Sequence, residues 1–420
     1  MEDAGVLLRA LRVTLYNSLM FPDVDRRAWR ALAAAQLGWM LDAMDFLLFT
    51  YAVIQIREEF ALSRPMMGAL TSVALVASAA GGILFGRLAD RYGRVRTMTW
   101  SILLYSGATA GLATATALWQ LVAWRVLVGI GMGGEWSAGS VLVAEVWPAK
   151  HRAKAMGIMQ SGWAIGALFA AALSALVLER YGWRVLFAIG VLPAIAAFYI
   201  RRNIEEPRVW RERVVSTTRW SDMFRGSLVR RTIVATLLAS SVLIAFWGLV
   251  TWLPAFLASP VSEGGAGMTI TKSAAWLIGL QIGAFLGYIT FGYIADRIGR
   301  RPAFTLFMIG ATAVVPTFAL AARNPAVLLA IGPLVGYFAH GYFSLFGAML
   351  AELFPTSIRA SAQGFCYNAG RLMSALAPLA IGSAAQRYGL GTAIAFNSLF
   401  FLVGGGLIWL LPETRGKELT

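Results

Sequence analysis

GRLADRYGR at residues 86–94 returns as GYIADRIGR at residues 292–300, 206 positions further along the chain. A second stretch behaves in the same way, because AEVWPAKHRA at 144–153 returns as AELFPTSIRA at 351–360 with an offset of 207. Two separate matches at nearly one spacing indicate a duplicated unit whose two copies share one topology. The sequence therefore predicts two related halves.

Composition places this duplicated chain in a membrane. Of its 420 residues, 58% are hydrophobic and 14% are charged, whereas soluble domains average about 25% charged residues. The single cysteine, Cys366, excludes an intramolecular disulfide. Cationic loops beside a membrane explain the net charge of +15, so we expect no nucleic-acid partner. The sequence shows no nucleotide-binding loop, metal-ligand cluster or nucleophile with a base in register, so it predicts neither an enzyme nor a cofactor.

Apolar runs of about 20 residues, the length that crosses a bilayer as a helix, number twelve. We number them spans 1 to 12 in chain order, with predicted bounds of 31–56, 66–88, 97–117, 119–147, 154–178, 183–200, 231–257, 272–294, 302–321, 326–350, 360–384 and 389–411. The predicted fold is an all-α integral membrane protein with twelve transmembrane helices. Residues 31–200 and 231–412 form two pseudo-symmetric six-helix bundles, and 1–30, 201–230 and 413–420 are a tail, a linker and a second tail.

The distribution of lysine and arginine predicts the orientation. The two tails and the loops after even-numbered spans hold 27 of the 36 Lys and Arg residues, and the loops after odd-numbered spans hold 7. Cationic loops stay on the cytoplasmic side of a membrane. We therefore expect a multi-pass protein of the cell inner membrane, with both termini and the linker in the cytoplasm.

Several motifs together give the chain a resemblance to the major facilitator superfamily. They are the repeated loop at 86–94 and 292–300, RVLVGIGMGGE at 125–135 and PETRG at 412–416. Within the superfamily the chain looks like the sialate:proton symporter family, which includes lactate and pyruvate carriers. The stretches that carry this likeness are GWMLDAMDF at 38–46, GGEW at 133–136, the E-x-x-P-x-x-x-R segment at 145–152, GVLPAIAAFYIRR at 190–202 and YNAGR at 367–371. The resemblance implies a monomeric carrier that works by rocker-switch alternating access.

The repeated loop has residue types suited to a cytoplasmic latch between the bundles. Its glycines let helices approach closely, and its aspartates accept charge-assisted hydrogen bonds from arginines and helix N-termini. Its arginines are placed to meet carboxylates or helix C-termini across the seam, although these residues could also serve only to cap tight turns. The predicted latch residues are Gly86, Asp90, Arg91, Gly93, Arg94, Gly292, Asp296, Arg297, Gly299 and Arg300. Glu145 and Glu352, in the second repeated stretch, are expected to bind arginines there.

Away from the ends of the predicted spans there are only two of the 36 Lys and Arg residues, namely Arg125 and Arg371. Arg371 stands well inside span 11, about 16 Å deep at 1.5 Å per residue, near the middle of the hydrocarbon. A permanent charge there costs at least about 2.5–3.5 kcal/mol, so it normally faces a bundle interior or an aqueous cavity. Spans 7, 8, 9, 11 and 12 hold no acid. We therefore expect Arg371 to bind an anionic cargo, with a structural pairing across the seam as the alternative.

Other polar and aromatic residues are candidates for the same site. Asn368 and Tyr367 lie one helical turn before Arg371 on the same side of the helix. His340, near the middle of span 10, either titrates near physiological pH or is a neutral hydrogen-bonded core residue. Aromatic residues in membranes are more often packing residues or interface anchors, so their inclusion is a hypothesis. The candidate cargo residues are Arg371, Asn368, Tyr367, His340, Gln160, Trp163, Gln281 and Trp247.

A group of acids in the first half is the candidate proton site. Asp42 and Asp45 are three residues apart, so they share a face in the middle of span 1. Burial and mutual repulsion favour protonation of at least one of them, unless Arg125 keeps them ionised. Glu135 is the third acid of this group, and Arg125 is either a structural partner of these acids or part of the proton pathway.

These features together predict a proton-coupled secondary active transporter of a small organic anion, most simply a monocarboxylate similar to lactate or pyruvate. Its partners are the anion, protons and the bilayer. Two alternatives stay open: a proton symporter for sugars or sugar acids such as sialate, and a membrane sensor built on a transporter fold. A neutral-sugar carrier would need hydrogen-bonding amides more than a midplane arginine, and a sensor would usually need an output domain.

Overall fold

The computed structural model describes residues 21–212, 220–261, 265–268, 270–320 and 324–419, and all regular structure in these ranges is helical. Most of the predicted N-terminal tail therefore lies outside the described residues. The helices of the first half are span 1 at Arg26–Glu59, span 2 at Arg64–Tyr92, span 3 at Arg94–Leu112 and span 4 at Leu118–Val146. Spans 5 and 6 share the helix Arg152–Ile189, which bends at Gly182 (φ 75°), and span 6 continues as Pro193–Asn203.

The second half begins after a short linker helix, Arg208–Arg211, and a 3-10 turn, Trp220–Phe224. Spans 7, 8 and 9 are the helices Gly226–Ala258, Ile270–Ile298 and Arg300–Leu320. The last three spans are each interrupted. Span 10 consists of Pro325–Gly341 and Phe343–Leu353, span 11 of Arg359–Ser374 and Ala377–Tyr388, and span 12 of Leu390–Asn397, Leu399–Leu407 and the 3-10 turn Ile408–Leu410.

The two halves are built with the same helix contacts. In the first half, span 2 packs against span 4, span 1 against span 5 and span 3 against span 4. Adding six to each number gives the main contacts of the second half, which join spans 8 and 10, spans 7 and 11, and spans 9 and 10. The bundles meet along two seams, where span 5 packs against span 8 and span 2 against span 11. The seams are related by the same offset, as predicted for a pseudo-symmetric pair of bundles.

Nine stretches of the described residues are long and apolar enough to cross a membrane as helices. One of them, Ala149–Ile200, covers both span 5 and span 6. The stretches leave out spans 3 and 11. Span 3 begins with arginines and holds several Thr and Ser residues, and span 11 consists of two short helices with polar side chains. Span 3 packs on span 4, and span 11 lies between spans 2 and 7, so protein covers much of this polar surface.

The breaks in spans 10 and 11 each follow a basic residue in the middle of the bundle. Arg371 lies in the last turn of the first helix of span 11, and His340 in the last turn of the first helix of span 10. Pro378 stands near the start of the next helix of span 11. Proline lacks an N–H and disfavours helical backbone before it, which accounts for that break. The final carbonyls of a helix carry partial negative charge, so each break favours a cation beside it.

Glycine makes the turn between spans 2 and 3 and its repeat between spans 8 and 9. Gly93 has φ 111° and Gly299 has φ 105°. These angles are strained for a residue with a Cβ atom but not for glycine. The repeated loop motif therefore needs glycine here for the chain to turn sharply from one helix into the next.

Candidate cargo site, proton site and latch

The first part of the latch surrounds Glu145, in the last turn of span 4. This carboxylate lies at the end of the molecule that carries the repeated loops, which we call the arginine-rich end. Arg94 donates from Nε and Nη2 to the two oxygens of Glu145 at 2.9 Å each, a bidentate pair within one half. Arg359 of the other half donates from Nη1 to the same carboxylate at 2.7 Å. All three side chains are buried. One carboxylate thus joins the two halves through charge-assisted hydrogen bonds.

The second part of the latch repeats this arrangement around Glu352 at the end of span 10. Arg300 donates from Nη2 and Nε to Glu352 at 3.0 and 3.4 Å. Arg152, from the first half, donates from Nη1 to the same carboxylate at 2.9 Å. Thr414, beyond span 12, adds a hydroxyl donor at 2.6 Å. Both buried carboxylates therefore receive one arginine from their own half and one from the other.

The aspartates of the repeated loops cap helices of the opposite half. Asp90 accepts the backbone N–H groups of Ala360 and Ser361 at 3.1 and 2.7 Å, at the start of span 11. Asp296 accepts the backbone N–H of Lys154 at 3.1 Å, at the start of span 5. A helix N-terminus carries partial positive charge, so a carboxylate there stabilises the contact between the halves.

Close approach of the seam helices depends on a glycine in each repeated loop. A Cβ on Gly86 would lie 2.5 Å from the carbonyl oxygen of Ala360, and a Cβ on Gly292 would lie 2.4 Å from that of Ala153. Both contacts are backbone contacts across a seam, so no side chain could move to make room. These two glycines are placed as the latch hypothesis requires.

The other two arginines of the motif lie on the surface. Arg91 and Arg297 are exposed, and the guanidinium of Arg91 lies over the ring of Tyr92 at 5.1 Å. Neither forms an ion pair with any residue in the described ranges. The contacts predicted for them across the seam are not formed in this arrangement, and they add to the cationic surface instead.

Two acids that the sequence analysis missed complete the latch. Glu206, after span 6, accepts the three backbone N–H groups at the start of span 3, at 2.6, 3.2 and 3.1 Å. Glu413, after span 12, accepts the first two backbone N–H groups of span 9, at 2.9 and 3.0 Å. The two acids are 207 residues apart, which equals the offset of the second repeated stretch. That spacing was the signal that could have found them.

Arg371 lies at the seam between spans 2 and 11. Its Nη1 donates to Oγ of Ser78, and its guanidinium carbon lies 5.2 Å from the ring centroid of Tyr367. Its Nε is buried without a hydrogen-bond partner, and the side chain as a whole is partly exposed. No ion pair to Arg371 is formed within the described part of the chain, although Asp42 of the other half is close enough to act on it electrostatically. This guanidinium is therefore not neutralised by an ion pair with a carboxylate of the described residues.

Tyr367 and Asn368 lie between Arg371 and the latch, in a closed layer. Tyr367 stacks on Trp136 of the other half, with ring centroids 3.9 Å apart and an interplanar angle of 22°. Trp136 donates from Nε1 to Oε1 of Gln160 at 3.0 Å. Asn368 is buried, and its Oδ1 has no partner among the described residues. The structure therefore brings Tyr367 and Gln160 together through Trp136, a residue that sequence reasoning did not single out.

The two candidate tryptophans meet at one phenylalanine. The Trp163 ring in span 5 lies 6.4 Å from that of Phe46 in span 1, and Trp247 in span 7 lies 6.1 Å from the same ring. Trp163 also lies 5.1 Å from Trp39. Both candidate indoles are partly exposed. Because Phe46 and Trp247 belong to different halves, these rings lie between the bundles.

His340 and Gln281 are placed differently from each other. His340 is buried, with its ring 5.0 Å from Phe246 and 6.3 Å from Tyr288, and its Nδ1 has no partner in the part of the chain described. Phe246 packs on its neighbour Trp247 at 5.4 Å, which links His340 to the central aromatic residues. Gln281 is partly exposed, and the described contacts do not connect it to Arg371.

The three acids of the candidate proton site are fully enclosed. Asp42, Asp45 and Glu135 are 1%, 2% and 0% exposed. Both oxygens of Glu135 and Oδ1 of Asp42 lack hydrogen-bond partners among the described residues, whereas the Thr109 side chain lies close enough to Asp45 to act as a donor. Gly38 provides the space for Glu135, since a Cβ there would lie 2.2 Å from its Oε1, and the Tyr105 hydroxyl lies within electrostatic range of all three acids. An ionised carboxylate buried in this way costs several kcal/mol, so a bound proton stabilises the group.

Arg125 stands apart from these acids. It is 1% exposed, its Nε has no hydrogen-bond partner, and its guanidinium carbon lies 3.9 Å from the ring centroid of Phe49. Its predicted pairing with Glu135 or with the span 1 aspartates is not formed within the described ranges. Phe49 follows Asp45 by one helical turn, so the arginine lies beside the acid group along span 1.

The fold defines a class: a membrane protein of two related helical bundles, with ion pairs that join its halves at one end. The profile of the Major Facilitator Superfamily matches residues 36–289 and 266–420. The chain therefore belongs to the Major Facilitator Superfamily, as its motifs predicted, and it is a multi-pass membrane transporter and not an enzyme.

Related proteins agree with this assignment along nearly the whole chain. The chain is 34% identical over 409 residues to a probable 4-methylmuconolactone transporter of Cupriavidus pinatubonensis, covering 94% of this chain and 92% of that protein. It is 30% identical over 393 residues to the sialic acid transporter NanX of Escherichia coli, covering 92% and 95%. The second relative agrees with the predicted resemblance to the sialate:proton symporter family.

A solved structure agrees on the fold. The proton:xylose symporter XylE, bound to 6-bromo-6-deoxy-D-glucose, superposes with a TM-score of 0.75 at 19% identity, covering 94% of this chain and 98% of that one. At this identity the likeness concerns the fold, and it supports the arrangement of twelve helices in two bundles.

Proposed function

We propose that this transporter carries a small organic acid together with protons, by alternating access around the central site. One observation carries the proposal: Arg371 of the second half forms no ion pair among the described residues, whereas the first half holds three buried carboxyls that form none there either, and Asp42 is the one of these within electrostatic range of Arg371. The arginine suits an anionic cargo, and the acids suit a proton. A cargo and its proton together cross the membrane with little net charge.

The relatives support an organic-acid cargo. One is named for sialic acid and another for 4-methylmuconolactone, and both names denote small organic metabolites. A monocarboxylate is the simplest cargo for a single guanidinium, because each further charge on the cargo would need its own partner. The lactate-like monocarboxylate predicted from the sequence belongs to this class.

The latch gives the direction of gating. We infer that the arginine-rich end faces the cytoplasm of the cell, because 27 of the 36 Lys and Arg residues belong to that side of the predicted topology. In the present arrangement the latch is formed, so the path toward the cytoplasm is closed. Opening it breaks the contacts that cross the seam, namely Arg359 with Glu145 and Arg152 with Glu352.

Counterflow in proteoliposomes tests the proposal. The purified full chain is reconstituted and assayed with lactate, benzoate, muconate and sialate, with and without an inward proton gradient. We expect uptake of at least one acid to rise several-fold with the gradient and to fall back when a protonophore is added. Acid uptake that does not respond to the gradient would contradict proton coupling. Transport of a neutral sugar but of no acid would contradict the anionic cargo.

A further inference from the structure

The centre of the molecule is surrounded by an aromatic belt made by both halves. Its consecutive contacts begin at Tyr367 and Trp136, continue through Gln160 and Trp163 on one face of span 5, and cross the seam from Phe46 to Trp247. They end at Phe246, His340 and Tyr288. The distances between consecutive ring centroids are 3.9 Å for the first pair and 6.4, 6.1, 5.4, 5.0 and 6.3 Å from Trp163 onward.

Two members of the belt are not fully covered by the surrounding protein. Trp163 and Trp247 are partly exposed, whereas Phe46, which touches both, is buried between them. A side chain packed on Phe46 from either half is at the seam and not at the lipid surface. Arg371 is connected to the same belt, because its guanidinium lies over Tyr367 at 5.2 Å. Arg371 is also within electrostatic range of Asp42, which precedes Phe46 by one helical turn on span 1, so the guanidinium and the two indoles lie in the same region of the seam.

We propose that the cargo is a planar, unsaturated carboxylate, such as an aromatic or conjugated acid, with its carboxylate on Arg371 and its flat body against Trp163 and Trp247. This inference rests on the proposed function and narrows it. A flat conjugated body gains stacking or edge-to-face contacts with each indole, worth roughly two- to tenfold in affinity beyond the area that it buries. A saturated ring of the same size buries similar area but loses this preference.

The same region also holds hydrogen-bonding groups. The side-chain oxygen of Gln160 is occupied by Trp136, but Oδ1 of Asn368, next to Tyr367, has no partner among the described residues, so a hydroxyl group on the cargo can also be bound there. The indoles act on a different property of the cargo, which is whether its body is flat. Aromatic rings that only filled the core would show no preference between flat and saturated acids, so the preference is the measurement that distinguishes the two.

Matched acids test the inference on the unmodified full chain. Benzoate is compared with cyclohexanecarboxylate, and sorbate with hexanoate, as inhibitors of counterflow in proteoliposomes. Each pair has the same charge and nearly the same carbon skeleton but differs in unsaturation. We expect the flat acid of at least one pair to inhibit at a concentration at least about threefold lower than its saturated partner.

Substitutions in the belt locate the preference. Trp247→Leu and Trp163→Leu should each reduce the flat-to-saturated ratio toward one, and Trp247→Phe should retain most of it. Trp119→Leu is the matched control, because Trp119 is 70% exposed at the start of span 4, away from the belt. If the leucine variants do not fold, the ratio in the unmodified chain decides.

The outcomes separate this inference from the proposed function. If saturated acids inhibit as well as flat ones, the proposal of a planar cargo is wrong. If that inhibition by both kinds of acid is lost in Arg371→Ala, the proposal of an organic-acid carrier still holds. A flat preference that the leucine variants leave unchanged removes the belt from the site. If no carboxylate of either kind competes, both proposals are wrong.

Discussion

The two halves of this transporter are nearly identical at the arginine-rich end and opposite at the centre. At that end, Glu145 and Glu352 each accept hydrogen bonds from two arginines, one from each half. Glu206 and Glu413 cap spans 3 and 9, which correspond in the repeat. At the centre, the first half has three buried acids on unbroken helices, whereas the second half has Arg371 and His340 at breaks in spans 11 and 10.

The difference indicates which parts of the duplicated unit were free to diverge. A latch between two bundles needs complementary groups on both sides, so its residues are retained in each copy. The proposed cargo site and proton site need different charges, which would explain why one copy has acids and the other has a cation. The repeat aligns Arg371 with Ala164, which carries no charge, and this shows that the central arginine is not required by the fold.

The largest expected effect concerns the cation at the centre. We expect Arg371→Ala to reduce binding and uptake of the acid by about 10- to 100-fold, because it removes a charge-assisted contact. Arg371→Lys should retain a small part of the activity, since an ammonium keeps the charge but not the planar fork. Arg387→Ala, in the exposed last turn of span 11, is the control. Full transport by Arg371→Ala would show that the cation in the second half is not needed to bind the cargo.

Substitutions of the three acids in the first half should affect proton coupling more than movement of the cargo itself. Asp42→Asn, Asp45→Asn and Glu135→Gln are compared for counterflow and for accumulation driven by a proton gradient. We expect the largest loss of proton-driven accumulation, to nearly none, in Asp42→Asn, because Asp42 is the acid within electrostatic range of Arg371, while counterflow changes by less than about tenfold. Glu58→Gln, exposed at the end of span 1, is the control. Unchanged proton dependence in all three variants would remove the acids from the proton pathway.

Neutralising either of the two latch carboxylates, Glu145 or Glu352, should lower the thermal stability by a similar amount. Glu145→Gln and Glu352→Gln each remove a buried carboxylate that pairs with two arginines, one from each half, which costs about 3–5 kcal/mol. Thermal unfolding in detergent should show similar losses for both variants, with the exposed Glu418→Gln unchanged. A large loss in only one variant would show that the two parts of the latch are not equivalent.

The smallest effect is expected at the helix caps and depends on pH. Burial raises the pKa of Glu413, but the backbone N–H groups of Arg300 and Arg301 outweigh that effect and hold the pKa below its ordinary value. Because the folded pKa is lowered, the charge stabilises the fold at neutral pH and this contribution is lost as the pH falls below about 4. We expect Glu413→Gln to cost about 1 kcal/mol, with the difference from the unmodified chain vanishing in acid.

Glu206→Gln is the partner measurement for that prediction. It removes the same kind of cap from span 3, so its loss in thermal stability at neutral pH should match that of Glu413→Gln to within about 1 kcal/mol. A loss of thermal stability in only one of the two variants would show that the two helix caps are not equivalent, in contrast to Glu145 and Glu352.

Patterns along the chain were sufficient for the twelve helices and for most of the latch. The repeated stretches and the apolar runs are local signals, and Glu145, Glu352, Asp90 and Asp296 take part in the contacts expected of such residues. The breaks in spans 10 and 11 were not predicted, because an apolar run continues across them. Pro378 marked one break, but no local signal marked the break at Tyr342.

The central contacts could not be read from the sequence because they join distant residues. Arg371 donates to Ser78, which is 293 positions away, and Tyr367 stacks on Trp136 of the other half. No periodicity or spacing relates these partners, since they come together only when spans 2, 4 and 11 pack. For the same reason Arg125, expected to pair with the acids of the first half, is found over Phe49.

The contacts made by the segment after span 12 can form only late in the synthesis of the chain. Thr414 donates to the Glu352 carboxylate, Lys417 donates to the Glu352 carbonyl oxygen, and Arg152 donates to the Lys417 carbonyl oxygen. A growing polypeptide can place all its helices in the bilayer before residues 413–417 have left the ribosome. The contacts of Thr414 and Lys417 at Glu352 are thus the last of the latch to form during biogenesis, after the arginine pairs that join the two bundles have both partners in the bilayer.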